Sequence, residues 1–86
     1  MPTVSRFFGI IIRIYAREHG VPHFHAHYGD SQAALAIETL STLEGSLPRR
    51  AHALVLEWAV QHREELLANW HRAQRHEPTV AIAPLD

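Results

Sequence analysis

From Arg49 to about Arg75 the chain contains neither proline nor glycine, and Glu77-Pro78 then ends the run. Apolar residues recur through it at three- and four-residue steps, which is the spacing of one helical face. The pattern predicts a single long helix over 47–76, with Ser46 or Leu47 near its N-cap and Pro48 in its first turn, where a missing N–H costs nothing. At 1.5 Å per residue such a helix extends about 40 Å, longer than the strands that precede it. Its main buried stripe reads Ala51, Leu54, Val55, Trp58, His62, Leu66, Trp70 and Ala73, flanked by Leu56, Val60 and Leu67. So broad an apolar surface needs more cover than a small sheet gives. Either Trp58, Leu67 and Trp70 meet a second chain, as a homo-oligomer or with another small protein, or the extended tail 77–86 folds back over them. In that tail Val80 and Ile82 alternate with small residues, which allows a short edge strand.

The residues before the helix read as strands over 1–46. Phe8, Ile10, Ile12, Ile14 and Ala16 alternate with Gly9, Ile11, Arg13, Tyr15 and Arg17, so Phe7 to Arg17 is expected to form one strand. Glu18 to Pro22 is a connection, since Pro22 holds Val21 extended. A second strand runs from His23 to Tyr28 and ends in Gly29-Asp30-Ser31, a tight-hairpin sequence. A third covers Ala33 to Glu38, and a short fourth Thr42 to Glu44. The expected fold is α+β: one domain over 1–86, with a small antiparallel sheet of three to four strands packed on one long C-terminal helix.

Composition narrows the classes of function. Eighty-six residues at a formal net charge of −1 exclude a strongly basic nucleic-acid tail, and the absence of cysteine excludes disulfides, thiolate zinc sites and cysteine nucleophiles. No apolar run reaches the ~20 residues of a membrane span, and the start MPTVSRFFG lacks a signal peptide's long apolar segment. A cytoplasmic protein without membrane contact is therefore expected. Eight histidines make the charge steeply dependent on pH, since an unperturbed imidazole titrates near pKa 6.5; at pH 5.5 the net charge would move to about +6.

Three of those histidines stand in the run Pro22-His23-Phe24-His25-Ala26-His27-Tyr28-Gly29. In a strand, His23, His25 and His27 share one face, and Phe24, Ala26 and Tyr28 point to the core. Parity brings Arg13, Tyr15, Arg17 and Glu38 to the histidine face, and Ala34 and Ala36 leave room above it. Three chemistries fit. Adjacent strand histidines have Cα atoms about 6.7 Å apart, close enough for zinc or another divalent transition metal, whereas His23 and His27 at ~13 Å are too far to share one ion. The metal would thus use an adjacent pair, with Glu38 or a residue of another chain. A metal-independent acid–base site would use His23 and His25 with Arg13, Tyr15 and Glu38, in the manner of small ribonucleases. Anion, RNA or DNA binding would draw on Arg17 and on Arg49 and Arg50 at the helix start, where backbone N–H groups add to the guanidinium charge.

Other residues carry blander readings. His62, between Trp58 and Leu66 on the apolar stripe, is a hydrogen-bonded core residue, and His19, His52, His71 and His76 are solvated surface. Glu64 and Glu65 diverge by about 100° on the helix and form no catalytic pair.

The segments SRFFGIIIRIY, EHGVPHFHAHYG and LEGSLPRRAHALVLEWAVQHREELLANW together resemble a family of small bacterial proteins known as domain of unknown function 4160. The proline-histidine-aromatic-histidine run followed by tyrosine-glycine is the distinctive part. His23 and His25 match the family pattern, whereas Val21 stands where a second proline is usual and His27 where a charged residue is usual. The resemblance implies an α+β fold, a bacterial cytoplasm and a partner encoded by a neighbouring gene, in a two-gene arrangement similar to toxin–antitoxin modules. It brings no catalytic residue. The leading expectation is a protein of such a module, acting through protein–protein and nucleic-acid contact. The alternatives are an RNase-like or metal-dependent hydrolase using the strand histidines, and a histidine-rich metal-binding module.

Overall fold

The computed structural model describes residues 3–16 and 18–86. Five strands, β1 (Thr3–Phe7), β2 (Ile10–Arg13), β3 (His23–Tyr28), β4 (Ser31–Ala36) and β5 (Thr42–Ser46), form one antiparallel sheet in chain order. Two helices follow, α1 (Arg49–Gln61) and α2 (Arg63–Gln74). The expected three to four strands on one long helix is corrected on both counts.

The extra strand comes from a turn inside the alternating segment. Phe8 and Gly9 both take positive φ, 49° and 79°, and Phe7 pairs with Ile10 across them. That is the backbone of a two-residue hairpin whose twist matches the flanking strands. The turn reverses parity, since Phe7 and Ile10 pair on the same core face, but the apolar Phe8 at its tip extends the pattern of Ile10 and Ile12, so period-two reading alone sees one strand. Phe8, expected in the core, lies at the tip and is 58% exposed, and Ala16 is exposed beyond the end of β2.

The helix breaks at His62, without proline or glycine. His62 (φ −129°, ψ 23°) closes α1 through a bond from its N–H to the Ala59 carbonyl and opens α2 by accepting from Leu66. Its ring packs 5.3 Å from that of Trp58, and its Nδ1 lies 2.5 Å from Glu65 Oε1. Glu64 and Glu65 then occupy the first turn of α2, where their charge favours the positive end of the helix dipole. The start of α1 also shifts: Ser46 ends β5, and Pro48 is itself the N-cap.

Packing divides the sheet into two faces. Ile12, Phe24, Ala26 and Leu35 are fully buried together with Val55, Trp58 and Leu66 of the helices. Tyr28, expected in this core, is instead 40% exposed at the strand end. The tail supplies the missing cover. Asn69 donates from Nδ2 to the Val80 carbonyl and accepts from the Val80 N–H, both at 2.8 Å. Trp58 Nε1 donates to the Ala83 carbonyl, and the Ile82 N–H donates to Val4 on β1. The tail forms no strand. Among the described residues no helix is long and apolar enough to cross a membrane.

Candidate functional site

The register of the open face is set by three ladders. Arg13 pairs with His25, His25 with Ala34, and Ala34 with Glu44, so these four stand in a row across β2, β3, β4 and β5. Beside it run Ile11, His27, Gln32 and Ser46. Gly45 lets β5 lie close to β4: its φ is 73°, and a Cβ there would collide with the Gln32 carbonyl.

Over this row the connection between β2 and β3 brings in Glu18. Its Oε1 lies 2.5 Å from His25 Nε2 and 3.5 Å from His23 Nε2. One ligand atom each from Glu18, His23 and His25 falls within a 4.8 Å set. His23 is 8% exposed, with its ring 5.0 Å from Trp70 and 5.2 Å from His25.

The proton position on His23 follows from geometry. Its Nδ1 is 2.8 Å from the Val21 carbonyl, an acceptor only, so Nδ1 carries the hydrogen. In the protonated ring Nε2 is a second donor, turned toward Glu18; in the neutral ring Nε2 is the lone pair, open to an ion. This is how metal-binding histidines are oriented, the second ring nitrogen donating to a backbone carbonyl while the first is offered to the ion. Two histidines and a carboxylate suit zinc, cobalt, nickel or iron(II). An ion about 2.1 Å from each donor would draw them to roughly 3.5 Å apart.

Ionisation of Glu18 is shaped by the same contacts. Burial disfavours its charge, but the hydrogen bond and charge of His25, followed by His23, outweigh burial and bring its pKa below the ordinary carboxylate value. His27 shifts the other way relative to its charged form. Burial first, then the positive charge of Arg13 and that of His25, lowers its pKa below 6.5. Tyr15 bridges the two histidines, with its hydroxyl 3.2 Å from His27 Nε2 and its ring 4.7 Å from that of His25. Arg13 Nε is buried without a hydrogen-bond partner among the described residues.

The structure thus brings together His23, His25, Arg13 and Tyr15, and places His27 beside Tyr15, outside the ligand set. Glu38 is not with them. β4 ends at Ala36, and Glu38 is exposed in the following turn, where the Leu40 N–H donates back to Ala36. Glu18 takes the place given to Glu38. Strand parity could not find it, because it stands on a connection; its signal was an acidic residue five and seven positions before two strand histidines. Glu44, also passed over, was visible only through register. Arg49 and Arg50 are exposed at the start of α1, and Arg17 lies outside the described residues. Trp58 and Trp70 are buried within their own chain and Leu67 is half-buried; Trp58 meets the tail at Ala83, and Trp70 packs against His23.

Neither the curated proteins nor the solved structures compared with this chain give a match. The family comparison does, over residues 9–71, a span that holds β2 to β5, both helices as far as His71, and every residue of the histidine face described above. The chain belongs to the family described as domain of unknown function, DUF4160.

Proposed function

We propose that the protein binds a divalent transition metal through Glu18, His23 and His25, and that this open-sheet site is where it acts. The observation that carries the reading is the His23 ring: its Nδ1–H is committed to Val21 and its Nε2 faces the Glu18 carboxylate that also holds His25. Three protein ligands leave a tetrahedral ion one free position, which is the arrangement of hydrolytic rather than purely structural zinc sites. A metal-dependent hydrolase is the enzymatic form of this reading.

Trp70 offers a direct assay, since its ring contacts His23. Titration with nickel or copper is expected to quench its fluorescence at one ion per chain, with zinc competing at the same stoichiometry. Glu18→Gln and His25→Ala should each weaken uptake at least tenfold, whereas His27→Gln should leave it within about threefold. Equal uptake by wild type and His25→Ala would refute the site.

A second reading is a toxin–antitoxin-like two-gene module, with a neighbouring gene's small protein, RNA or DNA as partner. It rests on the family resemblance and is favoured by exposed apolar side chains at the sheet: Phe8 and Tyr28 at one end, and Leu43 and Val21 beside the histidines. Expression in a bacterial host, alone and with the neighbouring gene, tests it. Growth arrest relieved by the neighbour supports the module, and normal growth without capture of the neighbour's product counts against it.

A further inference from the structure

The ligand set lies at the edge of open space. Two concavities on the sheet face share His25, Ala34 and Glu44. One extends from them to Glu18 and His23, the other to Tyr15 and Gln32. In the ladder His25, Ala34 and Glu44 occupy neighbouring strands, so the backbones of His25 and Glu44 are about 9.6 Å apart with only a methyl group between. Glu44 lies outside the set of ligand atoms that approach one another within 4.8 Å, so it faces the site from beyond direct ligation.

Resting on the metal reading above, we propose that the free coordination position opens over Ala34 toward Glu44, and that this pair makes the site take a neutral ligand of the amide class. Such a ligand carries an oxygen for the metal and an N–H or O–H for the carboxylate. Charge decides against an anion. A divalent ion with the carboxylates of Glu18 and Glu44 sums to zero, so a phosphate gains little from the metal and meets Glu44 directly. Among the described residues Arg13 is the guanidinium that could reverse this, and it pairs with His25 from the β2 side and lines neither concavity. The other polar groups on the walls, Tyr15, Gln32 and the exposed His19, are neutral or titratable hydrogen-bonding groups suited to an amide.

The cobalt-loaded protein tests this, because its visible absorption reports an added ligand. Acetamide, a neutral amide with a carbonyl oxygen and N–H donors, is expected to change the spectrum saturably, and inorganic phosphate at the same concentrations to leave it unchanged. Glu44→Gln should hold cobalt within about threefold of wild type and bind acetamide at least tenfold more weakly; Ala34→Leu should block it. Phosphate binding as tightly as acetamide would overturn the inference, as would an unchanged response in Glu44→Gln or loss of cobalt from that variant. Cobalt uptake with no acetamide response overturns the inference alone. No cobalt uptake by the wild type overturns the metal reading, and the inference with it.

Discussion

Strand β3 presents two unlike surfaces at alternate residues. Phe24 and Ala26 are fully buried beneath the helices, whereas His25 and His27 stand half-buried on the opposite face. The first surface is held by packing, which is indifferent to protons and ions. The second is held by a few directional contacts among polar groups, with Glu18 reaching in from a connection. The difference separates what stabilises this chain from what it offers to a ligand.

The sharpest way to break the comparison is to substitute neighbours in sequence. Phe24→Ala is expected to cost about 3–5 kcal/mol, the range for truncating a buried aromatic, against a total stability of roughly 5–15 kcal/mol for small domains. His25→Ala, one residue on, should cost about 1 kcal/mol or less. Urea denaturation measures both. Similar losses would mean that the histidine face is also structural.

Next in size is Gly45→Ala, expected to cost about 1–3 kcal/mol through its positive φ and the collision with the Gln32 carbonyl. The same change should pull β5 from β4 and displace Glu44. Amide exchange along Thr42–Ser46 would show the loosening, and unchanged protection would contradict the account of that edge.

Asn69→Ala should cost about 1–2 kcal/mol, since it removes both bonds to Val80. Its mark is local: faster amide exchange at 80 and 82, and a Trp58 indole released from Ala83. If Trp58 then drives self-association, the tail is what keeps this helix surface from a second copy.

The smallest expected effect is on pH dependence. The folded pKa of His27 is lowered, so the unfolded chain takes up its proton first as pH falls below 6.5. Stability should therefore decline on acidification from that point. Glu18 has the same sign in a lower window: its lowered pKa contributes stability that is present above 4.5 and is lost as pH falls through the folded value. His27→Gln should flatten the decline that begins below pH 6.5 while leaving the part due to Glu18 in place. Denaturation midpoints across that decline check it, and an unaltered slope would place the proton uptake elsewhere.

Much of the core surface was legible, because alternation and helical spacing record burial directly. Ile10, Ile12, Phe24, Leu35, Val55, Trp58 and Leu66 are where those periods put them. Two features escaped for physical reasons. The two-residue turn at Phe8-Gly9 carries an apolar residue at its tip, which extends the pattern of Ile10 and Ile12 and hides a strand boundary although the turn itself reverses parity. The break at His62 uses no helix-breaking residue, and the contacts it makes, with Trp58 four residues before and Glu65 three after, have ordinary helical spacing and leave no mark in the sequence. On the open face, parity placed His23, His25, Arg13 and Tyr15 correctly, since parity survives uncertainty in register. It failed for Glu38, because the strand ends before that residue, and it could not reach Glu18, whose position depends on how a connection folds back.

The most direct test of the account is long-range nitrogen–proton NMR of the imidazole rings, recorded on the apo protein and during zinc addition. The account predicts that His23 carries its hydrogen on Nδ1, and that zinc first moves Nε2 of His23 and His25 while His52, His71 and His76 stay unchanged. A His23 protonated on Nε2 alone, or a first response at the surface histidines, would contradict it.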